Sequence, residues 1–194
     1  MVSKLLVRCA VGAALLCAWH VSAFAAPVLQ APGGGNVRAL VIGIDKYPSL
    51  PAGSQLSGAV ADARDFSRVL AAAGARVETL TDGAATRSRL ISEMERLLAE
   101  SKTGDLVIIS YSGHGMQVRA YPAWQGLDNR RTTQIALAGY SRSGKAGHEI
   151  VVDREMRAWF TRFDAKGDAV KATTSRRVGG SCSRRRSILA SLFM

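Results

Sequence analysis

Apolar residues along the middle of this chain follow two different rhythms. Arg38-Ala-Leu-Val-Ile-Gly-Ile44 and Asp105-Leu-Val-Ile-Ile-Ser-Tyr111 are short runs dense in β-branched side chains. Runs of this kind predict strands covered on both faces. Arg76-Val-Glu-Thr-Leu80 predicts a shorter strand, with Asp82-Gly83 turning out of it. Between the runs the spacing becomes helical. Ala59, Ala63, Phe66, Leu70 and Ala73 predict one helix, stopped by Gly74. Leu90, Ile91, Met94, Leu97 and Leu98 predict a second, capped by Thr86. A third, capped by Asp153, sets Met156, Trp159, Phe160 and Phe163 on one face as core. The β-α-β-α-β order implies an α/β fold with a mostly parallel sheet covered on both faces.

The rhythm fails in two places. Residues 116–149 are rich in Gly, Arg, Tyr and Ser and read as a long loop with at most short strands, around Ile135-Ala-Leu137 for example. After the third helix a doubly wound sheet requires a fourth parallel strand, yet residues 168–186 contain no apolar run. Their Arg/Ser/Gly composition predicts disorder. The apolar stretch 187–194 is too short to supply the missing strand. The sheet is therefore expected to be incomplete after the third helix, with a basic, disordered tail over 166–194. The abrupt change near Val170 is what a frameshift would leave.

Charge and leader sequence sharpen this division. Residues 1–26 combine Lys4 and Arg8, an apolar centre over 10–18 and the small residues Ala23-Phe-Ala25. This is the pattern of a secretory signal peptide, too short and alanine-rich for a good transmembrane span. It predicts a periplasmic or secreted protein with no membrane anchor after cleavage. Residues 27–36 follow as a Pro/Gly-rich linker, and 37–165 form the domain. The net charge of +11 resides mostly at the two ends: the final 29 residues hold seven basic side chains against Asp168 alone. The domain itself is near neutral, so no nucleic-acid partner is expected. Of three cysteines, Cys9 and Cys17 leave with the leader. Cys182 remains as a nucleophile, a site of intermolecular pairing or an incidental thiol.

The candidate chemistry lies where the third strand ends, at Tyr111-Ser-Gly-His114-Gly115. Strand ends at a sheet edge are where sites are built. An imidazole between two glycines there is open to a ligand approaching the main chain, as a general acid/base requires.

Together, the Ile-Gly-Ile-Asp-Lys-Tyr47 segment, Ala61-Asp62-Ala63, Thr86, Gly104-Asp105 and Tyr-Ser-Gly-His-Gly115 resemble caspase-like cysteine peptidases, closest to the bacterial metacaspase-type branch. The resemblance covers roughly residues 37–165 and implies a caspase-like three-layer sandwich. It implies a Cys–His dyad cleaving peptide or protein substrates, without a metal or other cofactor. His114 would be the catalytic acid/base, and the Gly115 N–H would serve the oxyanion hole. Asp45, at the end of the first strand, matches acidic residues that favour Arg or Lys in the specificity pocket; a turn-forming Asp is its other reading. The family's nucleophile follows the His by roughly 50 residues in an Asp-x-Cys-x-Gly-like motif. Here Cys182 stands 68 residues beyond His114, with no Asp two residues before it. An exported cysteine endopeptidase and a catalytically inactive or truncated interaction module are the two functions this implies.

Overall fold

The structure is a computed structural model that describes residues 28–119, 131–143, 149–167 and 169–177. The first apolar run forms β1 (Val37–Gly43), buried at every position. Then come α1 (Ala59–Ala72), β2 (Arg76–Thr81), α2 (Arg87–Glu100) and the long β3 (Leu106–Arg119). β1 lies between β2 and β3 and is parallel to both, with Gly43 beside Thr81 and Ser112.

Alternation along the strands separates two cores. Leu40, Ile42, Val107 and Ile109 pack under Leu90, Met94 and Leu97 of α2 and, from α3 (Asp153–Asp164), Trp159, Phe160 and Phe163. Val37, Ala39, Val41, Leu106 and Ile108 face Ala63 and Leu70 of α1. Both sheet faces are covered, which is why these strands read as continuous apolar runs. The result is a three-layer α/β domain. Its α3 aromatics are core, as their spacing predicts.

Local signals account for the helix ends. Thr86 Oγ1 accepts the Arg89 amide at 3.2 Å, and Gly74, at φ +91°, receives the chain as it leaves α1. Asp153 departs from expectation. It is the first residue of α3, and its carboxylate accepts from the Arg154 amide (2.7 Å), the Thr133 amide (3.3 Å) and the Thr132 hydroxyl (3.3 Å). It fastens the helix start to a neighbouring strand.

Two larger corrections concern the segments without apolar runs. The expected loop after Gly115 begins as strand: β3 continues to Arg119 and pairs antiparallel with β4 (Arg131–Ala136). β4 pairs in turn with β5 (Ile150–Val152). Met116 and Val118 alternate with the more polar Gln117 and Arg119, the period of a half-covered strand; the flanking glycines disguise it. The second correction is β6 (Ala169–Arg177), which lies within the expected tail and runs parallel beside β3, from Leu106↔Ala169 to His114↔Arg177. Val170, Thr173 and Thr174 are β-branched, so strand propensity is present without an apolar run. The sheet therefore continues beyond the third helix. Residues 178–194, with Cys182, lie outside the described residues, as do the leader and Pro27.

The opposite end of the sheet is held by a buried ion pair. Arg38 Nε donates to Asp105 at 3.1 Å, and the Asp105 carboxylate also accepts the amides of Asn36 (2.7 Å) and Lys102 (3.1 Å). Burial pushes the Asp105 carboxyl up, but these amides and the guanidinium outweigh it and hold it below its ordinary range. Among the described residues, no helix is long and apolar enough to cross a membrane.

Candidate active site at the C-terminal edge of the sheet

The parallel strands bring the segment after β1 next to the end of β3: the Ile44 amide donates to the Ser112 carbonyl at 2.9 Å. Gly43 is required here, because a Cβ would stand 2.5 Å from both the Ala59 carbonyl oxygen and the Ala63 Cβ of α1. His114 is the last β3 residue paired with β6, and Gly115 the first paired with β4. The imidazole thus stands where β3 leaves the parallel sheet for the antiparallel arm, at the edge where α/β sheets bind ligands.

The His114 ring is partly exposed, and its Nε2 lies 2.6 Å from the Ser54 carbonyl oxygen. A carbonyl can only accept, so Nε2 carries a hydrogen and the neutral ring leaves Nδ1 as its free lone pair. The loop presenting Ser54 is fastened by Gln55. Its side chain accepts the Tyr47 amide at 2.7 Å and donates to the carbonyls of Tyr47 (2.9 Å) and Leu50 (3.0 Å).

Two buried phenols hold the His114 main chain. Its amide donates to Tyr47 Oη at 2.9 Å, and its carbonyl accepts from Tyr111 Oη at 2.8 Å. Tyr111 Oη also reaches the Ala136 carbonyl of β4 at 2.6 Å, and the two hydroxyls lie 3.3 Å apart. The Tyr47 ring packs against the imidazole with centroids 4.7 Å apart and planes at 49°. Burial raises the Tyr47 hydroxyl's pKa against the lowering by its hydrogen bonds. Burial, with Tyr47 alongside, raises that of Tyr111 well above the ordinary value. Both remain neutral phenols at any pH where an imidazole titrates.

Asp45 sits at the expected strand end, but its carboxylate faces α1. Oδ1 accepts the amides of Gly58 (3.0 Å) and Ala59 (2.8 Å), and Oδ2 that of Val60 (3.3 Å). It supplies the cap that the helix's own Gly58 lacks. The amides of Asp45 and Lys46 are accepted in turn by Asp82 Oδ1 at 2.8 and 2.9 Å. A different acid stands nearer the motif. Asp62, exposed in the first turn of α1, places Oδ2 3.5 Å from the hydroxyl of buried Ser112, two residues before His114. The structure thus gathers His114, Gly115, the Ser54 carbonyl, Ser112 and Asp62 at one edge. Asp62 was legible only as the acid of Ala61-Asp62-Ala63, and the Ser54 carbonyl carries no sequence signal. Among the described residues, no group of three or more His, Cys, Asp and Glu is arranged to hold a metal ion.

Fold and site together define a three-layer α/β domain with an imidazole at the C-terminal edge of its parallel strands. The family model of the caspase domain, peptidase family C14, matches residues 36–137, more than half of the chain. The chain belongs to the caspase-domain family, a cysteine peptidase family. Among solved structures it is similar to protein GSU0716 from Geobacter sulfurreducens, with 25% identity and a TM-score of 0.59. That match covers 76% of this chain and 52% of the other, so the chain spans about half the length of that relative. No curated protein matches the sequence.

Proposed function

We propose that this chain is an exported cysteine endopeptidase in which His114 is the acid/base, Cys182 the nucleophile and the Gly115 N–H an oxyanion donor. The observation that carries the reading is the 2.6 Å bond from His114 Nε2 to the Ser54 carbonyl, which directs the unprotonated Nδ1 away from that carbonyl. In the mechanism, Nδ1 takes the thiol proton and the thiolate adds to the scissile carbonyl carbon. The oxyanion accepts hydrogen bonds from the Gly115 and Cys182 amides. The imidazolium, steadied by Ser54, protonates the leaving amine. Water deprotonated by the same nitrogen then hydrolyses the thioester and restores the thiol. Cys182 follows the end of β6 by five residues, and β6 ends with Arg177 paired to His114. This short distance along the sequence from the strand beside His114 supports the choice of Cys182.

Asp62, rather than Asp45, supports a preference for Arg or Lys at the cleavage site. Its carboxylate is exposed beside Ser112, whereas that of Asp45 is taken up by three backbone amides. The leader 1–26 supports export. Mass analysis of a periplasmic or secreted product lacking it would check this.

A second reading is a caspase-like domain without turnover, acting as an interaction module. It is favoured by β6 itself: the residues paired with Gly113 and His114 are Arg176 and Arg177, and the strand contains no cysteine. The deciding experiment incubates the purified chain with Arg-, Lys- and Asp-terminated peptide amides, beside His114→Ala and Cys182→Ala. Cleavage lost in both variants supports the peptidase. No cleavage by the parent chain, or cleavage indifferent to Cys182→Ala, overturns the proposed dyad.

A further inference from the structure

The phenols of Tyr47 and Tyr111 stand outside the bond-making steps above, yet between them they occupy both hydrogen-bonding groups of the His114 peptide. We infer that this hydroxyl pair is the positioning device for His114, fixing the imidazole by holding its backbone N–H and C=O at once. The inference rests on reading His114 as the acid/base.

Hydrogen-bond accounting supports it. Tyr47 Oη accepts the His114 N–H at 2.9 Å, leaving its own proton for Tyr111 Oη at 3.3 Å or the Ala136 carbonyl at 3.4 Å. Tyr111 has one proton for two carbonyls, Ala136 at 2.6 Å and His114 at 2.8 Å. Two hydroxyl protons therefore join three segments: the loop after β1, the fork in β3 and the end of β4. This matters most at His114, where β3 passes from its parallel neighbours to an antiparallel one and the ladder changes partner. With Tyr47 fully buried and Tyr111 nearly so, water is a poor substitute for either hydroxyl.

The intervening glycine supports the same reading independently. A Cβ on Gly113 would stand 2.5 Å from Tyr111 Oη and 2.7 Å from Tyr47 Oη. The hydroxyl pair fills the space a side chain would need. In Tyr111-Ser-Gly-His114, the Tyr and Gly thus have one explanation: the first supplies a hydroxyl and the other makes room for the pair.

The test reads the imidazole itself and needs no turnover. In the full chain labelled with 15N-histidine, ring nitrogen shifts report the neutral tautomer of His114. The parent chain is expected to show the Nε2–H form, set by Ser54. Tyr47→Phe and Tyr111→Phe are each expected to lose this one-sided population and give mixed tautomers. Tyr140→Phe, which removes a phenol bonded to Met116 Sδ, is expected to leave it unchanged. An unchanged His114 tautomer in folded Tyr47→Phe and Tyr111→Phe chains would overturn the inference. If neither variant folds, the parent chain decides: slowly exchanging hydroxyl protons of both tyrosines, with through-space contact to the His114 amide, are expected. Their absence would also overturn it. The two proposals fail separately: a His114 fixed by the phenols in a chain that cleaves nothing removes only the peptidase. Cleavage with His114 indifferent to both phenols removes only the positioning role.

Discussion

His114 Nε2 and the Ser54 carbonyl oxygen are 2.6 Å apart, and the Gln55 side chain pins the loop that presents this carbonyl. Among the described residues, the imidazole is thus oriented by main chain rather than by an acidic side chain. Removing the ring and loosening the loop should differ in degree. His114→Ala is expected to reduce kcat by about 10²–10⁴-fold, the usual contribution of a general acid/base. Gln55→Ala, which leaves the ring in place, is expected to lower kcat by about ten- to a hundredfold, the scale of a small misplacement. Single-turnover cleavage of an Arg-terminated peptide amide measures both.

The two acids near the site invite opposite substitutions. Asp45→Ala releases the amides of Gly58, Ala59 and Val60 at the start of α1. It is expected to lower stability by about 1–2 kcal/mol, the scale of a lost helix cap, without changing the preference between Arg- and Asp-terminated peptides. Asp62→Asn removes an exposed carboxylate and is expected to alter stability by less than about 0.5 kcal/mol while reducing that preference. Urea unfolding and relative kcat/KM values separate the two. A changed preference in Asp45→Ala would return the substrate-reading role to Asp45.

What could be read from the chain follows from how local each cause is. β1, β3, α1 and α2 are announced by their own side chains, because burial on both faces or on one helical stripe leaves a periodic trace. His114 is legible for the same reason, lying at the end of such a run. β6 is not, since Ala169–Arg177 pairs its backbone with β3 while its sequence, interrupted by Lys171, Arg176 and Arg177, composes no apolar run. The continuation of β3 is masked by Gly113 and Gly115, which mark close approach and a change of partner rather than a strand end. Asp45 shows a third kind of limit: its position was legible, but whether it faces a substrate or α1 depends on contacts 13 to 15 residues away.

The Arg38–Asp105 pair predicts a pH-dependent stability. In the folded chain the Asp105 carboxyl titrates below its ordinary range, whereas unfolded it returns to about 3.9. A depressed folded value means the contribution is fully present above that unfolded value. It is lost as pH falls through the folded one. Asp105→Ala leaves buried Arg38 with Glu100 as its remaining partner and is expected to cost about 3 kcal/mol at pH 7. The difference between parent and variant should shrink steadily below pH about 4. Glu100, held low chiefly by its hydrogen bond from Arg96, is present in both chains and largely cancels from that difference. Urea unfolding at several pH values supplies the comparison, and a difference constant from pH 7 to pH 3 would contradict the assignment.

β6 can be tested through its backbone alone. Successive residues of a strand direct their N–H groups to opposite sides, so of Thr173 and Thr174 one faces the β3 ladder and the other faces away. Proline removes the N–H and is tolerated only where no ladder bond is lost. One of Thr173→Pro and Thr174→Pro is therefore expected to lower stability by about 1–3 kcal/mol, and the other by clearly less. An unstructured tail would make both substitutions neutral, and a β6 closed on both sides would make them equally damaging. The asymmetry, read from two urea unfolding curves, identifies which residues of β6 are bonded to β3.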